Sequence, residues 1–102
     1  HSVAFLACGA GGLVIVDFAD TANVKMLSNY STGGYAKEVV YNENKVYVTT
    51  ELRGLQIFDV SNLHSPVRIG SVETKYAMAV TLDDKYVYVA DESEGLIVIS
   101  IP

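Results

Sequence analysis

The stretch Gly54-Leu55-Gln56-Ile57-Phe58-Asp59-Val60 occurs three times in this chain with small changes. An earlier copy is Gly12-Leu13-Val14-Ile15-Val16-Asp17-Phe18, and a later copy is Gly95-Leu96-Ile97-Val98-Ile99-Ser100-Ile101. The glycines that open the three copies lie 42 and then 41 residues apart. A period of that length is typical of one structural unit used repeatedly. The sequence therefore predicts a repeat architecture.

Composition and charge narrow the class of protein. Half of the 102 residues are hydrophobic, which is enough for a modest core and argues against a disordered chain. The net charge is −5, and no basic patch is present to meet nucleic-acid phosphates or an anionic membrane surface. No apolar run approaches the roughly 20 residues that span a bilayer. We expect neither a nucleic-acid partner nor membrane insertion.

The start of the chain and its cysteine content say little about the compartment. The segment 2–8 lacks a basic leader, so it is predicted to be a strand rather than a signal peptide. The one cysteine, Cys8, excludes an internal disulfide framework. A chain without disulfides fits a cytosolic or a secreted location equally well.

Strands are predicted along nearly the whole chain and helices nowhere. Short apolar and β-branched runs alternate with turns rich in Gly, Asn and Asp, which is typical of antiparallel strands. If the strands of one unit are named A to D, the middle unit contains all four, at 36–41, 45–50, 54–60 and 67–73. The full order is then B-C-D, A-B-C-D, A-B-C, or ten strands. Four short antiparallel strands about every 40 residues are the pattern of a propeller blade.

We therefore predict an all-β fold of β-propeller blades, about two and a half in number. The single domain 1–102 divides into a partial blade at 1–30, a complete blade at 36–73 and a partial blade at 76–102. Strands B and C are apolar on both faces, as a sheet packed between two neighbours requires.

A closed propeller usually needs at least four blades. Uncovered blades would expose apolar faces and sheet edges, and both promote association. We expect that the ring is completed by further copies, in a dimer or trimer, or by the rest of a longer chain. Two copies would supply six blades, some of them three-stranded.

The repeated Gly and Asp positions have structural interpretations. A glycine before strand C lets the backbone leave the preceding loop, because glycine readily adopts positive φ. Asp17 and Asp59 stand where strand C enters a turn, and short acidic side chains cap backbone N–H groups in such turns. We expect capping rather than ligand binding at both aspartates.

These motifs resemble the LVIVD-repeat family. The segment Leu13–Asp17 reads Leu-Val-Ile-Val-Asp, and Gly54–Asn62 is similar to the usual Gly-Leu-x-Ile-x-Asp-Val-Ser-x-Pro, with the later proline at Pro66. The run Tyr88–Asp91 is also typical of the family. The resemblance implies a β-propeller at the cell surface, in the periplasm or secreted, without a common enzymatic activity.

The chain departs from the repeat at three positions. Ser100 stands in place of the motif aspartate, and Cys8 and Thr50 stand where the third unit has Asp91.

Candidate ligand-binding residues lie in the D–A and B–C loops, which gather at one end of a propeller. Tyr35 and Tyr76 recur in register and could form an aromatic binding ring, although packing on a neighbouring blade is the simpler interpretation. Lys37 and Glu38 could line the channel. The full set of candidates is Tyr35, Lys37, Glu38, Glu51, Arg53, Tyr76 and Asp91.

Other motifs do not carry chemistry. The acidic loop 91–94 could hold Ca²⁺, but the other two loops have no equivalent, and a solvated loop is the simpler interpretation. The glycines at 9–12 precede a strand, whereas a phosphate loop opens a helix. Cys8 has no histidine beside it in its loop, and His1 and His64 alone give too few metal ligands. We expect no catalytic residues, metal or cofactor.

Two classes of function remain open. The first is a non-enzymatic module that binds a partner or assembles, using loops presented on a rigid scaffold. The alternative is a hydrolase- or lyase-like enzyme with its site at the channel mouth, which rests on fold analogy alone. A buried acid or base of perturbed pKa among Glu38, Glu51 and Asp91 would favour the enzyme.

Overall fold

The computed structural model describes residues 2–101, and ten β-strands but no helix occur among them. The strands follow the chain in this order: β1 Val3–Ala7, β2 Leu13–Asp17, β3 Lys25–Tyr30, β4 Glu38–Asn42, β5 Lys45–Thr49, β6 Leu55–Asp59, β7 Val67–Val72, β8 Ala77–Leu82, β9 Tyr86–Asp91 and β10 Gly95–Ser100.

The strands form three antiparallel sheets in simple up-and-down order. The first sheet contains β1, β2 and β3, the second contains β4 to β7, and the third contains β8, β9 and β10. The predicted order B-C-D, A-B-C-D, A-B-C is confirmed, and so is the all-β, blade-like fold. β4 begins at Glu38 rather than at the predicted Ala36, because Ala36 forms an isolated bridge with Gly9 of the first sheet.

The second sheet is covered on both faces, as the apolar pattern predicted. We call the face of a sheet that is turned to the next sheet its leading face, and the opposite face its trailing face. Val46, Val48 and Phe58 lie on the trailing face of the second sheet, and they pack against Leu13 and Ile15 of the first sheet. The ring of Tyr30 meets the ring of Phe58 edge-on across this interface, 4.8 Å between centroids.

The leading face of the second sheet packs on the third sheet in the same way. Tyr47 and Leu55 are buried against a group of small and medium side chains that includes Val87 and Val89. At both interfaces leucine and aromatic side chains of one sheet pack beside valines of the next, so that side chains of different size interdigitate.

Local hydrogen bonds fix the turns. Glu43 and Asn44 both have positive φ, the conformation of a two-residue hairpin turn whose twist matches that of the strands. The predicted capping role of the motif aspartates is confirmed. The Asp17 carboxylate accepts the Ala19 N–H at 2.8 Å, and the Asp59 carboxylate accepts the Ser61 N–H at 2.8 Å. The bond from Ser61 lowers the pKa of Asp59.

The glycines before strand C are required for two reasons. Gly12, Gly54 and Gly95 have φ of +80°, +72° and +80°, where other residues are strained. A Cβ atom at Gly54 would also lie 2.2 Å from the Val72 carbonyl oxygen of strand D, and one at Gly12 would meet the Tyr30 carbonyl equally closely. At Gly95 a Cβ would meet nothing within 4 Å.

This contrast predicts unequal effects of the same substitution. Gly95→Ala should cost about 1–2 kcal/mol of unfolding free energy, because only left-handed backbone strain is added. Gly54→Ala adds a steric clash with strand D worth about 1–3 kcal/mol more, because the obstructing atom is backbone. Urea denaturation of both variants measures the difference. Equal losses would show that contact with strand D does not constrain Gly54.

Candidate functional site

The D–A and B–C loops meet at one end of the sheets, and backbone bridges between sheets hold them there. Gly9 and Ala36 exchange two N–H···O bonds of 2.9 and 3.0 Å between the first and second sheets. Glu51 and Ala77 exchange two bonds of 3.0 Å between the second and third sheets. The loops that carry the candidate residues are therefore fixed by main-chain contacts.

Four of the seven candidate residues come together at this end. The Lys37 ammonium lies 3.6 Å from the Glu51 carboxylate and 5.7 Å from the centre of the Tyr35 ring, within the range of a cation–π contact. Partial burial raises the pKa of the Tyr76 hydroxyl, and the neighbouring Glu51 carboxylate raises it further. We call Tyr35, Lys37, Glu51 and Tyr76 the rim cluster. It joins a cation, a carboxylate and two aromatic side chains.

Tyr35 packs on the loop of the preceding sheet, as the simpler interpretation of the sequence expected. A Cβ atom at Gly9 would lie 2.8 Å from Cζ of Tyr35, so glycine is needed for the ring to sit this close. The ring is nevertheless 51% exposed. Tyr35 is therefore held in place and still offers a surface to a ligand.

Glu51 has an unusual backbone for its residue type. Its φ of 53° matches the 58° of Gly9, which occupies the same repeat position. A non-glycine residue in this region costs about 1–3 kcal/mol, and such strain clusters at functional sites. Glu51 carries the side chain that meets Lys37 and Tyr76, so the strained position is also the one that supplies the carboxylate of the rim cluster.

Two other candidates lie outside the rim cluster. Glu38 Oε1 accepts the Val80 N–H at 3.0 Å and so ties the second sheet to the third, while Lys37 pairs with Glu51. Arg53 is exposed, and its stem lies over Gly34, where a Cβ would be 2.8 Å from Cγ of the arginine.

Asp91, the seventh candidate, is occupied by its own loop. Its carboxylate accepts the N–H groups of Tyr76, Ser93 and Glu94 at 2.7 to 2.8 Å, and the residue is buried. Burial raises the pKa of this carboxyl, but the hydrogen bonds outweigh it and lower the pKa to about 2. A carboxylate with this many backbone donors is a structural cap that stays ionised at neutral pH.

A cleft that the sequence analysis missed opens at the other end of the sheets, between the first and second. Its volume is about 470 Å³, and its walls are mostly apolar. They are formed by Val3, Phe5, Tyr41, Asn44, Val60, Ser61 and Leu63. The Tyr41 ring stacks on Phe5 at 5.2 Å, and its hydroxyl accepts the Asn44 N–H at 3.2 Å. No sequence signal pointed here, because the stack joins two different sheets.

Within residues 2–101 no three His, Cys, Asp or Glu side chains lie close enough together to hold a metal ion. Over the same residues, no helix has the length and apolar character that crossing a membrane requires.

The three sheets coincide with three consecutive matches to one family. The LVIVD repeat matches residues 3–32, 33–74 and 75–101, which is nearly the whole chain. The chain belongs to the LVIVD-repeat family. A search among curated proteins gave no match.

The departures from the LVIVD repeat have visible consequences in the B–C loops. Where the third repeat caps its loop with Asp91, the second repeat uses the Thr50 hydroxyl, which donates to the Gly54 carbonyl at 2.8 Å. Cys8 of the first repeat is exposed. One loop shape is thus closed by different side-chain chemistry in different repeats.

The backbone strain at Glu51 predicts which of two substitutions gives the more stable protein. Glu51→Gly and Glu51→Ala both remove the carboxylate, but only glycine is relaxed at a φ of 53°. We expect the glycine variant to be more stable than the alanine variant by about 1 kcal/mol. Chemical denaturation at neutral pH compares them directly. If alanine proved as stable as glycine, the backbone at Glu51 would not be strained.

The cap at Asp91 predicts a pH dependence. Its pKa is lowered by folding, so its contribution is full above the unfolded pKa near 4 and is lost as pH falls towards about 2. Asp91→Asn should lower stability at pH 7 and flatten the loss of stability between about pH 4 and pH 2. Thermal unfolding across this range measures both effects. Asp20→Asn, at an exposed aspartate that caps Ala22, is the matched control. An unchanged pH profile for Asp91→Asn would contradict the assignment.

Proposed function

We propose that this LVIVD-repeat chain is a non-catalytic binding and assembly module, and that its rim cluster contacts the ligand or partner. The observation that carries the proposal is the juxtaposition of Lys37, Glu51 and the exposed Tyr35 ring on loops fixed by backbone bridges between sheets. Residues on loops held in this way bind with a smaller ordering cost, which is the advantage of a preorganised surface.

The chemistry of the rim cluster favours a polar ligand or peptide over an apolar one. The Lys37–Glu51 pair is long at 3.6 Å and partly exposed, so it contributes little to stability. A carboxylate or hydroxyl of a ligand can take up one of its partners at small cost. The Tyr35 ring offers an apolar surface beside these charges. Tyr76 offers a hydroxyl that is neutral at neutral pH, as tyrosine hydroxyls ordinarily are, and its pKa is raised further.

The enzyme alternative loses one of its three candidate residues, Asp91. General acid–base catalysis needs a group whose pKa lies near the working pH. Asp91 is buried, but its pKa is about 2 and three backbone N–H groups occupy its oxygens. A group of this kind holds a loop together and does not exchange protons at neutral pH.

The location of the protein is part of the proposal. We place it outside the cytoplasm, at the cell surface, in the periplasm or secreted, on the basis of the family resemblance.

An NMR titration tests the binding role. Amide spectra of the chain are followed with three probes: N-acetyl-aspartate, N-acetyl-lysine amide and N-acetylglucosamine. We expect at least one probe to shift the amides of Lys37, Glu51 and Tyr76. The double variant Tyr35→Ala/Lys37→Met should bind that probe with an affinity lower by about fivefold or more, because each lost contact is worth about 0.5–1 kcal/mol.

The control for this titration is Leu52→Ser, at an exposed residue of the B–C loop outside the rim cluster. The affinity of this variant for the probe should match that of the unmodified chain. If no probe shifts these amides, or if the double variant binds as well as the unmodified chain, the rim cluster is not the binding site.

A further inference from the structure

The leading face of the third sheet is apolar and uncovered. Leu96 occupies the repeat position of Leu13 and Leu55, which are both 0% exposed, yet Leu96 is 68% exposed. Val98 on the same face is 51% exposed. The same position is thus fully buried in two sheets and open in the third, because no further sheet lies over it among residues 2–101.

The trailing face of the first sheet is open as well. Leu6 holds the repeat position of Val48, and Phe18 holds that of Val60. The two residues of the second sheet are 0% and 2% exposed, whereas Leu6 is 41% and Phe18 is 40% exposed. The chain therefore presents both halves of an interface that it also forms twice internally.

We propose that a second copy of this chain docks head to tail, with the trailing face of its first sheet on the leading face of the third sheet. The contact continues the two interfaces already present, in which every leading face meets a trailing face. Such an interface is heterologous, since it joins different surfaces of the two copies.

Side-chain sizes favour this pairing over contact between two like faces. At the interface of the second and third sheets, Tyr47 and Leu55 of the leading face fit against Val87 and Val89 of the trailing face. The open leading face repeats this large pair as Tyr88 and Leu96. The open trailing face offers the smaller Ala4, Val14 and Val16, together with Leu6 and Phe18. Two leading faces together would set large side chains against large ones, which packs less well.

One polar group on the open leading face, the Tyr88 hydroxyl, already has a partner. The Tyr88 hydroxyl donates to Asp83 Oδ2 at 2.6 Å, so covering this face leaves the hydroxyl with its partner. Burying a hydroxyl without a partner is unfavourable, and the bond to Asp83 avoids that cost. The Tyr88 hydroxyl can therefore be covered by a second copy without losing its partner.

Complementary variants test the proposal in solution. Leu96→Glu places a charge on the leading face, and Leu6→Glu places one on the trailing face. The unmodified chain should have the light-scattering mass of two or three chains, and each variant alone should have the mass of one. A mixture of the two variants should regain a two-chain species, because each variant keeps the face that the other has lost.

Leu52→Glu is the matched control, since Leu52 is 75% exposed on a loop outside both faces and should leave the mass unchanged. Circular dichroism checks folding, and Phe18→Glu replaces Leu6→Glu if that variant is unfolded. A single-chain mass for the unmodified protein overturns the proposal. A mixture that stays at one chain also overturns it. So does the result that Leu96→Glu dissociates while Leu6→Glu still associates, which would indicate contact between two leading faces or with a different segment.

Discussion

Burial of both faces of each sheet by its neighbours is the constraint on which this fold depends. A three- or four-stranded sheet of five- and six-residue strands has too little core of its own. The second sheet is stable because Val46, Val48 and Phe58 are buried on one side and Tyr47 and Leu55 on the other. The hydrophobic effect thus acts mainly between repeats, while hydrogen bonds within each sheet fix the strand order.

A few backbone features bring residues of different repeats together at one end of the sheets. Glycines of positive φ before strand C let strand D pass close to the start of strand C, as Gly54 does beneath Val72. The bridges Gly9–Ala36 and Glu51–Ala77 join each B–C loop to the start of the next sheet. As a result, side chains from different repeats meet at one end, and the rim cluster is assembled from the second and third repeats.

The sequence alone was sufficient for the architecture and insufficient for the pairings at the site. The period of the Gly and Asp motifs and the two-faced apolar strands determined the number, order and type of strands, because these patterns reflect local geometry and burial. The partner of Glu38 could not be inferred, since Val80 N–H approaches it from another sheet. The role of Asp91 could not be inferred either, because the sequence alone does not distinguish a capping aspartate from a ligand-binding one. The stack of Tyr41 on Phe5 also depends on the angle between two sheets.

The difference between leading and trailing faces has a consequence for how such proteins can evolve. Each repeat is directional, because its leading face fits the trailing face of the next repeat. A gene duplication that inserts one whole period of about 41 residues adds a repeat whose two faces already fit the neighbouring repeats. Recombination can therefore lengthen or shorten the array of repeats without compensating mutations. The B–C loop of each repeat is then free to diverge separately.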